Sequence, residues 1–258
     1  MLGSNVVGQQ LKEIDTYELV NNIAVKTTFL ATDNLQNCYV VNTQNELKKY
    51  SANGELLFTF SINRYGKLSY VDAGNPLKLL LFYPEFGTIV VLDKTLSQVG
   101  THKLFEKGFQ GVTAVGITRD NNIWLYDAGD FKLKKINDQA AVIQESEPLN
   151  QILDFEVAVT QLVEKNDFIH LNCPQHGVVV FDVYGTYAET YHLPQIGYFQ
   201  IIRDNVAFWN EEGIHLYSPR TTQQTSTALP LTKGVKHLSI SGNRMYVATV
   251  TELRIFTH

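Results

Sequence analysis

GITRDNNIWLYDAGDFKLKKIN, residues 116–137, is the stretch on which the reading of this chain turns. It opens on a short apolar strand, crosses a polar turn at 119–122 and runs apolar through 123–126. After a small polar loop at 128–130 it closes in a strand that sets Lys132, Lys134 and Lys135 beside Leu133 and Ile136. The same succession recurs about every forty residues along the chain. A fixed period of that length is the signature of a repeat architecture, in which one supersecondary unit is copied and stacked.

Working outward, the chain shows six short apolar runs, at 38–41, 79–83, 123–126, 168–171, 206–209 and 245–248. Each is apolar at successive positions, so both strand faces must be covered. The second strand of a propeller blade, sandwiched between neighbouring blades, meets that condition. Polar turns precede the runs, at 34–37, 72–75, 119–122, 164–167, 203–205 and 242–243, with residues suited to tight turns. Candidate innermost strands lie ahead of the turns, at 28–31, 69–71, 112–118, 159–163, 199–202 and 236–240. Third strands follow at 46–50, 88–92, 132–136, 178–181, 214–217 and 253–256, and more polar fourth strands such as 55–60 and 186–192 come last. The expectation is an all-β, six-bladed β-propeller of four-stranded antiparallel blades, a single domain spanning 1–258. The sixth unit lacks a fourth strand. EIDTYEL, 13–19, is the spare segment, and it is expected to pair with 253–256 and close the ring, removing two sheet edges.

With 258 residues the chain is long enough for one closed β fold with a sizeable core. Its net charge is −5 and its basic residues are scattered, which disfavours a nucleic-acid binder, since that class needs a basic stripe. Cys38 and Cys173 fall on opposite blades, too far apart for a disulfide, and are expected as buried thiols. No apolar run is long enough to span a bilayer. Residues 1–10, MLGSNVVGQQ, lack a signal-peptide pattern and suit a flexible leader or cloning remnant. A membrane tether through a removed N-terminal segment is compatible with that start.

The stretch 116–137 resembles the NHL repeat, in which an apolar strand ends in Asp and a basic-apolar strand closes the unit. Asp127 falls at the position of that Asp, and 132–136 at the closing strand. The other units keep the strand pattern without the Asp. The resemblance implies a divergent NHL-like six-bladed propeller, a shape that hosts RNA readers, sugar-lactone hydrolases and protein scaffolds alike.

Lactonase-like propellers hold calcium in the channel with Glu, Asn and Asp from the inner strands. Here those strands offer Thr28, Ser69, Thr118, Thr160, Gln161, Gln200 and Ser239, with Asp33 and Asp72 near strand ends. That set lacks the clustered carboxylates calcium prefers, so no metal or cofactor is expected. His170, Cys173 and His176 have a spacing that suggests zinc, but His170 belongs to an apolar strand and no fourth ligand is evident. No Gly-x-Ser-x-Gly elbow or phosphate-cradling loop occurs. Lys48, Lys49, Lys132, Lys134 and Lys135 read as solvated blade edges.

Second-to-third strand loops and blade-to-blade connections open on one face of a propeller. That rim is expected to gather Arg64, Tyr65, Phe86, Phe109, Asp130, His176, Trp209, Glu211 and Glu212 as binding candidates, with Phe105 and Phe155. Aromatic anchors ringed by charge are what partner surfaces show. The bland alternative is that Phe105, Phe109 and Phe155 plug gaps between blades. The connection 147–156 has the apolar spacing of a short helical turn packed on the rim. The functional expectation is a non-catalytic propeller that binds another protein or acts as a scaffold in a bacterial cell envelope, hence outside the cytoplasm. The alternative is a small ligand or glycan stacking on Trp209, Phe86 and Tyr65 at the channel mouth, and a calcium-dependent hydrolase comes third.

Overall fold

The computed structural model describes residues 17–231 and 233–257. Among them, β1 (Glu18–Ile23) comes first and belongs to the last sheet. Blade 1 is β2 (Thr27–Thr32), β3 (Cys38–Asn42), β4 (Glu46–Tyr50) and β5 (Leu56–Ser61). Blade 2 is β6 (Tyr70–Asn75), β7 (Lys78–Tyr83), β8 (Thr88–Asp93) and β9 (Gln98–Lys103). Blade 3 is β10 (Val112–Ile117), β11 (Ile123–Asp127), β12 (Lys132–Ile136) and β13 (Val142–Glu145). Blade 4 is β14 (Gln161–Lys165), β15 (Phe168–Cys173), β16 (Gly177–Asp182) and β17 (Tyr187–Tyr191). Blade 5 is β18 (Phe199–Ile202), β19 (Asn205–Asn210), β20 (Gly213–Ser218) and β21 (Gln223–Thr227). Blade 6 is β22 (His237–Ser241), β23 (Arg244–Ala248) and β24 (Leu253–Thr257), completed by β1. All six sheets are four-stranded and antiparallel, as the repeat implies.

The apolar runs hold the ring together because alternate side chains face different neighbours. On β7, Leu79, Leu81 and Tyr83 pack into the core shared with blade 1, while Leu80 and Phe82 enter the core shared with blade 3. On β11, Trp124 and Tyr126 face blade 4, while Ile123 and Leu125 face blade 2. A fully buried Leu or Phe stabilises by about 1.5–3 kcal/mol, so every blade junction depends on such two-faced strands. Cys38 and Cys173 are buried, unpaired thiols on blades 1 and 4, and burial pushes the Cys173 thiol up to about 12.

A second repeat lies in the turn between third and fourth strands. Ser51, Asp93, Asn137 and Asp182 each accept backbone N–H groups two and four residues on, at 2.8–3.3 Å. Three residues after each, the backbone turns left-handed, at Gly54, Leu96, Ala140 and Gly185. Short polar side chains form such turns by replacing a backbone partner. Leu96 and Ala140 accept positive φ and are buried in return.

The ring closes through β1 on β24, with Glu18 opposite Thr257, Leu19 opposite Phe256, Asn21 opposite Ile255, Asn22 opposite Arg254 and Ile23 opposite Leu253. Closure by an N-terminal strand is as expected, but the strand is Glu18–Ile23, not 13–19; residues 13–16 lie outside the described residues. An outer strand with solvent beyond its edge needs no clean alternation, so its pattern slides easily. Tyr17 packs against the core between blades 5 and 6. Two other boundaries also move. Asp72 sits within β6, whose turn is at 75–78, and Glu164 sits within β14. The helical turn in 147–156 is α1 (Leu149–Ile152), with Leu149 fully buried.

Candidate interaction rim

Four of the polar groups considered for calcium, Gln161, Gln200, Asp72 and Ser239, clamp one blade to the next, while Asp33, Thr28, Thr118 and Thr160 bond within their own blades. Gln161 brackets a peptide of blade 5, accepting from Phe199 N at 3.0 Å and donating to Phe199 O at 2.8 Å. Gln200 does the same to Ile240 in blade 6, at 2.8 and 3.2 Å. Asp72 accepts from Ile117 N of blade 3 and Gly74 N, both at 2.8 Å, and burial pushes its carboxyl up. Ser239 and Thr32 join blades 6 and 1 at 2.9 Å. Asp33 accepts from Leu35 N, Asn37 N, Asn37 Nδ2 and Tyr39 OH, all at 2.8–2.9 Å. A side-chain amide spanning a peptide in this way supplies the hydrogen bonds that inner strands of different sheets cannot exchange.

Aromatic side chains fill the channel itself. Phe29 meets Tyr70 edge-on at 5.5 Å and Tyr198 at 5.8 Å, joining blades 1 and 2 to the connection entering blade 5. The Tyr70 hydroxyl donates to Leu162 O of blade 4 at 3.4 Å. Burial first, then the Asp72 charge, raises both tyrosines above their ordinary range.

The zinc-like spacing separates in space. His170 lies on the opposite face of β15 from Cys173, and His176 stacks on Phe155 at 3.9 Å. No group of three or more His, Cys, Asp or Glu is placed to hold a metal among the described residues. His170 is buried, its Nδ1 has no hydrogen-bond partner among the described residues, and burial lowers its pKa to about 4. The folded value lies below the unfolded one, so this contribution is whole above about pH 6.5 and is lost as pH falls toward 4. Lowering the pH from about 6.5 to about 5 should remove about 2 kcal/mol through this one group. Urea midpoints at the two pH values check it. A His170→Gln variant should lose correspondingly less, and an equal loss in both proteins contradicts the assignment.

The lysines are not solvated edges throughout. Lys134 is buried, pairing with Asp127 at 3.0 Å and Asp130 at 2.5 Å, with Phe109 5.5 Å away. Burial pulls its ammonium down, but the two carboxylates hold it above its usual range. Asp127 also accepts Gly111 N and Gly129 N at 3.0 and 3.1 Å, so it ties the blade 2–3 connection to the end of β11. Lys49 is buried and donates to Lys94 O of blade 2 at 2.9 Å. Lys48 pairs with Glu46, Lys132 with Glu145 and Lys135 with Asp120, as surface ions do.

The rim candidates divide by burial. Tyr65 and Phe109 are core residues, Tyr65 edge-on to Tyr83 at 5.8 Å and Phe109 in the blade 2–3 core. They plug blade junctions and do not offer contact surface. Trp209 is half-buried between blades 5 and 6, and Phe155 and His176 are half-buried against each other. Arg64, Asp130, Glu211 and Glu212 are exposed. Phe86 is 50% exposed and Phe105 44%. Both ride on 3-10 turns, Pro84–Phe86 and Phe105–Lys107. The Phe105 ring lies on Gly87 (φ 52°), where a Cβ would stand 2.6 Å from it. Leu104 N donates to Gly87 O at 2.7 Å, holding the two turns side by side. Next to them an open groove of about 490 Å³ is lined by Arg64, Tyr65, His102, Lys103, Lys107 and Asp138, among others. The Arg64 guanidinium lies 4.8 Å from the Tyr65 ring, and Lys103 pairs with Glu106 at 2.7 Å. The pairing of Phe86 with Phe105 is invisible in one dimension, because the groups that join the turns are a backbone carbonyl and a bare glycine.

No family model matches this chain. No curated protein matches it either. Solved structures do. A catalytically inactive virginiamycin B lyase from Staphylococcus aureus, with quinupristin, is similar at 10% identity and a TM-score of 0.67, over 94% of this chain and 100% of that one. The Pan2 WD40 domain of Neurospora crassa is similar at 12% and 0.60, over 93% and 95%. Sqt1 of Saccharomyces cerevisiae is similar at 13% and 0.54, over 90% and 72%. At such identities the likeness concerns fold alone. With six four-stranded sheets closed into a ring, these matches identify the chain as a divergent β-propeller.

Proposed function

We propose that this propeller is a non-catalytic protein-binding module whose contact face is the rim of blades 2 and 3. The observation that carries the reading is the pair Phe86 and Phe105, both exposed on turns joined by the Leu104 N–Gly87 O bond, with the Phe105 ring over Gly87 and a charged groove beside them. Rigid, exposed aromatics next to Arg and Lys are the residue types that dominate binding energy at interfaces. Of the residues on which a glycan would stack, Tyr65 is buried and Trp209 half-buried. On the inner strands, where a calcium-dependent hydrolase would draw its ligands, Gln161 and Gln200 are engaged in clamps between blades, and Phe29, Tyr70 and Tyr198 occupy the axis. The envelope setting belongs to the same proposal, resting on the polar, Asn/Gln/Thr-rich outer strands such as Gln223–Thr227; fractionation of the native host checks it.

A photo-crosslinking residue at Phe86 or Phe105 tests the rim in the native host. One discrete adduct is expected from each position and none from Leu77, exposed on a turn at the opposite mouth. Phe86→Ser with Phe105→Ser should weaken capture of the adduct's protein at least about 30-fold, the loss that about 2 kcal/mol from even one of the two aromatic anchors would give, with an unchanged melting midpoint. Equal adducts at Leu77, or none at the two phenylalanines, overturn the reading.

A further inference from the structure

The outer strand of blade 1 stands apart from the other outer strands. β5 reads LLFTFS, without a charged residue or proline, and among the described residues it is bonded only to β4, which leaves its outer edge open. Leu56 is 54% exposed, Leu57 42% and Phe58 39%. The outer strands of the other blades carry charge or are wholly polar: Glu18 in β1, His102 and Lys103 in β9, Glu145 in β13, Glu189 in β17, and only Gln, Thr and Ser in β21. Charges and prolines are how native sheets block edge-to-edge pairing. β5 has neither.

We infer that β5 is a self-association edge, pairing antiparallel with β5 of a second copy of this chain about a two-fold axis. Two features select a second copy as the occupant. First, the run is preceded directly by an acid, Glu55, and followed, three residues past its end, by a base, Arg64, both exposed. An antiparallel copy brings each Glu55 toward the other's Arg64, so the two-fold operation itself generates two complementary ion pairs. Secondly, the chain carries a net charge of −5, which opposes contact between copies through most of the surface; the uncharged run is where that repulsion is weakest. The apolar surface also extends onto the adjacent blade. The turn leading into β5 touches β1, Asn21 Nδ2 donating to Asn53 O at 2.8 Å, and β1 exposes Leu19 and Val20. Strand pairing supplies main-chain hydrogen bonds, and Leu56, Leu57 and Phe58 supply apolar burial.

Sedimentation velocity of the full chain from about 1 to about 100 μM tests this directly. A dimer is expected to fill with rising concentration. Leu57→Lys, a charge on the edge, should weaken it at least tenfold while far-UV circular dichroism and the melting midpoint hold. Arg64→Glu should weaken it as well, and Glu55→Arg combined with Arg64→Glu should restore it, a rescue that a merely structural role for either residue would not give. A monomer throughout the range overturns the inference, as does a dimer indifferent to Leu57→Lys or one that the double exchange fails to restore. A partner strand or the chain's own residues 1–16 on this edge would show as the monomer result.

Discussion

A chain lacking residues 1–23 should lose roughly 5 kcal/mol of stability, and its melting midpoint should fall by roughly 10–20 °C. β1 sets the size of that loss by what it covers. It pairs with β24 along Leu253–Thr257, so its removal opens an entire strand edge whose hydrogen bonds are each worth about 1 kcal/mol net. It also withdraws cover from the blade 6 sheet that carries Leu253, Ile255 and Phe256, all buried, and severs the Asn22 Nδ2 bond to Glu252 at 2.7 Å and the Asn21 bridge to blade 1. A ring is only as stable as its last joint, because opening one junction exposes two faces at once. Thermal and urea melts of the deletion check the magnitude. A synthetic peptide covering residues 17–24, added in excess, should recover part of the loss; a midpoint that the deletion leaves in place contradicts the latch.

Asp127→Ala should destabilise by about 4 kcal/mol, more than removal of any single exposed ion pair in the chain. The substitution strips two backbone N–H groups, of Gly111 and Gly129, of their acceptor and leaves the buried Lys134 ammonium with Asp130 alone. The two orphaned N–H groups and an ammonium left with one of its two carboxylates together make up that sum. Replacing both partners, Asp127→Leu with Lys134→Met, should therefore be milder than the single change, and urea midpoints of the cycle measure the coupling. Additive effects would show that the pair does not act as a unit. The Asp that carries the likeness to a repeat family is thus explained as a clamp on its own blade, with no ligand required.

How much of this was legible in one dimension depends on where each residue's partner lies. The runs 38–41, 79–83 and 123–126 declare their position because a strand buried on both faces must be apolar throughout. Those runs, with their polar turns, suffice for six four-stranded blades. Lys134 and Lys49 mislead because the groups that make their burial tolerable are remote or unexpected: a carboxylate seven residues back for one, the carbonyl of Lys94 on the next blade for the other. Tyr65 and Phe109 look like loop aromatics, and only the packing of blade on blade shows that they are core. Gln161 and Gln200 give no local signal, since what each brackets is a peptide about forty residues away. The closing strand is read five residues too early, at 13–19 against Glu18–Ile23, because its own pattern is irregular and not through any error in the ring that it closes.

The closed ring is tested most directly by hydrogen exchange on the unmodified chain, followed by mass spectrometry. Leu253–Thr257 should exchange slowly, like the buried second strands such as Lys78–Tyr83, and the amides of Glu18–Ile23 that face β24 should exchange well below the free-peptide rate, though faster than those buried strands because β1 is bonded on one side only. Exchange of Glu18–Ile23 at the rate of a free peptide, while Lys78–Tyr83 stays protected, would show a propeller open at its last blade and contradict the joint on which the whole arrangement rests.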